Sequence, residues 1–264
     1  MSTEQSRTAL VGYTGFVGSN LVRSRDFDVL VNSSNVADLA GQHFSRVVFS
    51  AAKAEKWKIN QNPEADLEHI EELERILSSF TTDELVLIST VDVYKDPSLV
   101  DETTAPETEG LHPYGAHRLR LEKSARALHP VTSVVRLPAL YGPGLKKNVI
   151  FDLLNDNNVQ NIHHGGHFQY YNLERLADDL DRIVTAGLPL VNIATEPVLT
   201  SEIAEVCFDL EFDNAPEGVR PGSYDMRTVH AEIFGGSEGY AYRRDVVLAE
   251  LSEFVAQERN GRTV

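Results

Sequence analysis

The chain has 264 residues, enough for one large domain or for a nucleotide-binding domain with a small attached lobe. Lys and Arg number 24 against 40 Asp and Glu, and the net charge of −16 argues against a nucleic-acid or anionic-membrane surface as the main function. The single cysteine, Cys207, has no partner for an internal disulfide, and no run of about 18 apolar residues is present, so with the polar start MSTEQSR a cytoplasmic protein without leader or membrane anchor is expected.

Ala9, Leu10 and Val11 read as the end of a buried strand, and the pattern turns helical at Phe16, Val17 and Leu21. Between and beyond them stand Gly12, Gly15 and Gly18. In such a turn the first glycine lets the chain reverse, the second removes a Cβ that would hold a pyrophosphate off the backbone, and the third lets helix and strand pack closely. The helix N-terminus adds unpaired N–H groups and a partial positive charge. Gly12, Tyr13, Thr14, Gly15, Phe16, Val17 and Gly18 are therefore candidate cofactor-binding residues.

A helix to about Arg25 leads into a second strand, DVLVN, residues 28–32. An acid closing this strand would accept a hydrogen bond from the ribose 2′-hydroxyl of NAD. Here Asn32, Ser33, Ser34 and Asn35 offer neither that acid nor an arginine for a 2′-phosphate, which leans slightly towards NADP. Asn32 and Ser33 are candidate ribose contacts, and a polar turn with Asx-type hydrogen bonds is the equal alternative.

Only residues 36–44 separate this strand from RVVFSAA, residues 46–52, so one edge strand-helix unit is shortened or missing. The small Ala51 and Ala52 suit close passage of a cofactor, and Lys53 beside them faces either that site or water. Residues 63–79 read as a helix with Leu67, Ile70, Leu73, Ile76 and Leu77 in the core. The strand ELVLIST ends in Ser89 and Thr90, where ligands of open α/β sheets sit. An acidic loop over residues 101–110 precedes a helix from about Pro113, with Tyr114 and Arg118 on one face and His117 read as exposed. TSVVRLPALY, residues 132–141, is a further buried strand closed by the turn YGPG, and the order of elements is that of a parallel α/β sheet.

The segments GYTGFVG, FSAAKA, ISTVDVY, PYGAHRLRLE and RLPALYGPG, in this order and spacing, resemble the extended short-chain dehydrogenase/reductase superfamily, the NAD-dependent epimerase/dehydratase family, over residues 7–206. The resemblance implies a Rossmann-like doubly wound parallel sheet with a small C-terminal substrate lobe: residues 1–142 as the dinucleotide-binding Rossmann domain, and 143–264 as a mixed region completing the sheet and forming the lobe. It implies a tyrosine acid/base, Tyr114; a hydroxyl partner some two dozen residues earlier, Thr90; and one helical turn after the tyrosine a lysine that lowers its pKa and holds the nicotinamide ribose. The last place is taken by Arg118, which makes the chain an atypical member.

Arginine keeps a positive charge near Tyr114, but its planar fork is not interchangeable with an ammonium. The bland alternative pairs Arg118 with Glu122, four residues on, as an exposed helix pair. Val91 and Asp92 stand where dehydratases of the family carry an Asp-Glu pair, which argues against that chemistry. Phe168, Gln169, Tyr170, Tyr171 and Asn172 lack the arginine that often holds a nucleotide-sugar diphosphate, leaving Lys146, Lys147, Arg220 and Arg227 as alternatives. His163, His164 and His167 suggest a loop more than a metal site, and no metal is expected.

The expectation is an NAD(P)-binding oxidoreductase or isomerase of the epimerase or reductase type, with Tyr114, Thr90 and Arg118 as catalytic residues. Tyr114 and Arg118 also serve the cofactor. The substrate would be a secondary alcohol or ketone of a small molecule such as a sugar or nucleotide sugar. A non-redox regulatory or scaffold protein with the same cofactor site, and a lyase or isomerase without net cofactor turnover, stay open, as does a homodimer.

Overall fold

Strand β1, Thr8–Val11, carries three consecutive buried residues, the mark of a strand covered on both faces. It belongs to a computed structural model that describes residues 7–261. In chain order follow α1 Phe16–Ser24, β2 Val29–Val31, β3 His43–Phe49, α2 Lys56–Gln61, α3 Pro63–Ser78, β4 Thr81–Thr90, α4 Pro113–Leu128 and β5 Thr132–Leu137. Next come β6 Ala139–Tyr141, α5 Val149–Asn155, β7 His167–Phe168, β8 Tyr170–Asn172, α6 Leu176–Thr185 and β9 Leu190–Asn192. The last elements are β10 Val198–Leu199, α7 Thr200–Phe208 and α8 Arg244–Asn260.

The chain forms two units from interleaved segments. The first holds the residues up to Lys95, then Thr104–Arg136 and Leu176–Val191. Its six-stranded sheet runs in the order β2-β1-β3-β4-β5-β9, with β1 parallel to β2 and β3, and β3 parallel to β4. This is the doubly wound parallel arrangement of a Rossmann-like fold. Between β2 and β3 only a short 3-10 turn, Val36–Leu39, replaces a helix, and β2 is the sheet edge. The shortened edge unit is thus a feature of the fold.

The core joins Val11, Val47, Phe49, Leu85 and Leu87 of the sheet to Ile70, Leu73 and Leu77 of α3 and Leu121 and Ala125 of α4. Each such fully buried aliphatic side chain contributes about 1.5–3 kcal/mol. Both helices start on a proline that needs no N–H partner, after a side-chain cap. Asn62 Oδ1 accepts from Ala65 N–H before α3, and His112 Nδ1 accepts from Gly115 N–H before α4.

The second unit comprises Asp96–Thr103, Leu137–Arg175 and the residues from Asn192. Residues 132–141, read from the sequence as one strand, divide at Pro138: β5 stays in the large sheet, and β6 pairs in parallel with β8. Strands β7 and β10 form an antiparallel pair. Gln169 is buried and braces this unit, with Nε2 donating to the carbonyls of Thr195 and Met226 and Oε1 accepting from Met226 N–H at 2.8 Å. Arg227 is spent on Asp225 and the Glu238 carbonyl and covers the Tyr240 ring. Cys207 is buried and accepts from the Ser252 hydroxyl, and burial pushes its thiol pKa up. Among the described residues no helix is long and apolar enough to cross a membrane, and no three His, Cys, Asp or Glu side chains are grouped to hold a metal.

Candidate active site

The glycine turn after β1 is shaped by backbone contacts. Gly12 has φ +92°, and a Cβ on it would lie 2.7 Å from the Ser50 carbonyl oxygen. Any other residue there is strained twice over. A Cβ on Gly18 would lie 2.2 Å from the Gly12 carbonyl oxygen, so only glycine lets α1 approach the turn. Gly15 differs: its φ is −73°, and a Cβ would meet only the Gly12 carbonyl oxygen, at 3.3 Å. No other atom lies within 4 Å of that position. No side chain caps α1, so its first N–H groups are left without a side-chain partner, with the helix dipole behind them.

The end of β3 lies under this turn, with Ala51 and Ala52 against the core and Lys53 exposed. At the end of β2 Asn32 is committed locally. Its Oδ1 accepts from Ser34 N–H at 2.8 Å and from the Ser34 hydroxyl at 2.6 Å, while its Nδ2 donates to the Tyr13 hydroxyl at 3.1 Å. The turn is of the Asx type, with Ser33 exposed on it.

Tyr114 stands in the first turn of α4, 6% exposed. A glycine follows it for a structural reason: a Cβ on Gly115 would lie 2.1 Å from the Asp92 carbonyl oxygen. Gly115 lets the start of α4 close on the end of β4, which brings Tyr114 to Thr90 and Asp92. Tyr114 N–H donates to Asn60 Oδ1 of α2 at 3.1 Å, and its ring stacks near His112 at a centroid distance of 6.3 Å. Burial raises the phenol pKa, the Arg118 charge lowers it, Asp92 raises it and hydrogen bonding with Thr90 lowers it; the net direction is up. The Asp92 carboxylate is held by Lys56 Nζ at 2.6 Å. His112 is shifted down by burial and by Lys56.

Arg118 is brought beside Tyr114, its Cζ 4.8 Å from the ring centroid. It is not an exposed helix pair with Glu122. Glu122 is itself buried and takes a bidentate fork from Arg136, at 3.0 and 2.6 Å, with the Ser89 hydroxyl at 2.5 Å. Ser89 is therefore turned to that pair, leaving Thr90 at the strand end. Arg118 pairs with Asp66 of α3, at 3.2 and 2.9 Å, and Nη2 also donates to the Lys53 carbonyl at 2.6 Å. Its Nε is buried and lacks a partner. His117 is not exposed either; its Nδ1 lies 2.8 Å from Asp66 Oδ2.

Asp66, Asn60 and Lys56 escape a reading by motif. Asp66 leaves one signal: it shares the stripe of Ile70, Leu73 and Leu77 at helical spacing, a carboxylate where the pattern calls for an apolar side chain. Asn60 and Lys56 lie on the six-residue α2, which has no periodic pattern to reveal it.

No family model and no curated protein matches the chain. Among solved structures it is similar to MoeE5 in complex with UDP-glucuronic acid and NAD, at TM-score 0.74 and 18% identity over 97% of this chain and 100% of that one. It is also similar to dTDP-4-dehydrorhamnose reductase from Bacillus anthracis in complex with NADP, at TM-score 0.72 and 14% identity over 96% and 99% of the two chains. A third likeness is to RMD from Pseudomonas aeruginosa complexed with NADPH, at TM-score 0.70 and 17% identity over 97% and 100%. At these identities the likeness establishes the fold.

Proposed function

We propose that the protein is an NAD(P)-dependent oxidoreductase of the epimerase or reductase type, acting on a secondary alcohol or ketone of a sugar or nucleotide sugar. The observation that carries this reading is the buried Tyr114 beside Thr90 at the end of β4, in the same unit as a glycine turn that only glycine can form at Gly12 and Gly18. Structures of the same fold bound to NAD, NADP or NADPH support the cofactor class, and the one with UDP-glucuronic acid supports the substrate class.

The residues fit a dinucleotide. Peptide groups from Gly12 to Gly18, including Tyr13, Thr14, Phe16 and Val17, would hold the pyrophosphate. Ser33, next to the committed Asn32, would meet the adenosine ribose, and the lack of a carboxylate there tolerates a 2′-phosphate. Ala51, Ala52 and Lys53 would line the path to Tyr114 and Arg118. The nicotinamide, when bound, supplies or accepts a hydride. Tyr114 exchanges a proton with the substrate oxygen, and the Thr90 hydroxyl hydrogen-bonds that oxygen and orients it. The buried Cys207 suits a cytoplasmic, reducing setting, and a homodimer is part of this reading.

Arg118 favours a second reading, a non-redox dinucleotide-binding module, because its fork is spent on Asp66 and the Lys53 carbonyl. Titration with NADH and NADPH separates the two. Calorimetry reads the binding of each without turnover. Binding together with Tyr114-dependent turnover on a panel of nucleotide sugars and ketones supports the first reading. Binding without such turnover on any of them supports the second, and no binding at all refutes both.

A further inference from the structure

The cation beside Tyr114 has its own buried anion. Arg118 and Asp66 are 3% and 4% exposed, and they meet in a fork at 3.2 and 2.9 Å. His117 adds a contact to the same carboxylate at 2.8 Å. Hydrogen bonds from Arg118 and His117 outweigh the burial that opposes ionisation of Asp66 and hold its carboxyl below the usual range. The carboxylate is therefore charged and offsets part of the guanidinium charge; what Arg118 still exerts on Tyr114, by its charge and by hydrogen bonding, is outweighed by the burial that raises the phenol.

The other groups around Tyr114 add no free positive charge to it. From the end of β4 comes Asp92, neutralised by Lys56 of α2 at 2.6 Å, with the uncharged Thr90 hydroxyl. From the start of α4 comes His112, which burial keeps neutral. Lys53 is exposed to water, and its carbonyl is what Arg118 binds. Two closed ion pairs thus flank the phenol.

We propose that Asp66 is a positioning residue, a built-in counter-ion that ties Arg118 down and leaves Tyr114 a protonated phenol, poised to give its proton to a substrate oxygen. The proton passes from Tyr114 Oη to a carbonyl oxygen of the substrate, and water restores it. The inference rests on the reading of Tyr114 as the acid/base.

The test is a titration of the near-ultraviolet phenolate absorbance, each protein measured against its own Tyr114→Phe version, without cofactor or substrate. In the otherwise unaltered chain the Tyr114 midpoint is expected at or above the ordinary value of about 10. A midpoint below it overturns the proposal. Asp66→Asn frees the Arg118 charge and should lower the midpoint by about one pH unit or more, as an unpaired cation at this range does. An unchanged midpoint in the folded variant overturns the proposal, since a merely structural pair would not move it. The double variant Asp66→Asn with Arg118→Gln removes both charges and should shift the midpoint by less than about one unit; a larger rise overturns the proposal. Loss of turnover in Tyr114→Phe is a separate measurement, so the functional reading and this inference can fail independently.

Discussion

At the scale of single residues, Tyr114 and Asp66 carry the strongest consequences. Tyr114→Phe removes the proton donor but little packing, so kcat should fall about 10²–10⁴-fold while the melting temperature stays close to that of the parent chain. Asp66→Ala leaves the buried Arg118 guanidinium without its anion, and such a break costs about 3–5 kcal/mol, measurable by denaturant unfolding. The folded-state pKa of Asp66 is lowered, so its stabilising contribution is complete above the unfolded carboxyl value of about 3.9 and is lost as pH falls through the folded value. The melting temperature should therefore fall as the pH drops below about 3.9, and Asp66→Asn should flatten that dependence. Thr90 and Tyr114 stand out in the sequence through the family resemblance, whose motifs lie at element ends. The partner of Arg118 is not, because residues 66 and 118 come together only when α3 and α4 pack.

At the scale of elements, the glycine turn separates folding from binding. Gly12→Ala and Gly18→Ala both drive a Cβ into backbone, at 2.7 and 2.2 Å. Each should destabilise the protein by more than about 1 kcal/mol, seen as a lower melting temperature. Gly15→Ala meets one carbonyl oxygen at 3.3 Å and keeps an allowed φ. It should melt close to the parent chain yet bind NADH and NADPH more weakly, because its methyl group would hold a pyrophosphate off the backbone. Equal loss of stability in all three variants would remove the ligand-facing role of Gly15. Strands β1 to β5 and helices α1 and α3 are legible from their apolar patterns, and the starts of α3 and α4 from their prolines, whereas the split of β6 from β5 at Pro138 is not. The short α2 is not, since six residues hold too few turns for a period to emerge, although its Asn60 and Lys56 hold Tyr114 and Asp92.

At the scale of the molecule, ligand binding and stability are linked. A dinucleotide that binds only the folded state adds about 2.7 kcal/mol at a concentration 100 times its Kd. For a chain of this size each kcal/mol raises Tm by about 2–4 °C, so saturating NADH or NADPH should raise the melting temperature by several degrees, checked by calorimetry. No shift with either dinucleotide would sink the cofactor assignment. The sequence alone determined strands β1 to β5, the shortened edge and the glycine turn, because strand burial and turn chemistry are written into neighbouring residues, while Thr90 and Tyr114 are singled out by the order of motifs that carries the family resemblance. Tertiary structure alone decided that Arg118 answers to Asp66, that Glu122 answers to Arg136, and that Gln169 braces the second unit. Charge pairing depends on which side chains packing brings together in a buried place, and no local pattern encodes that meeting.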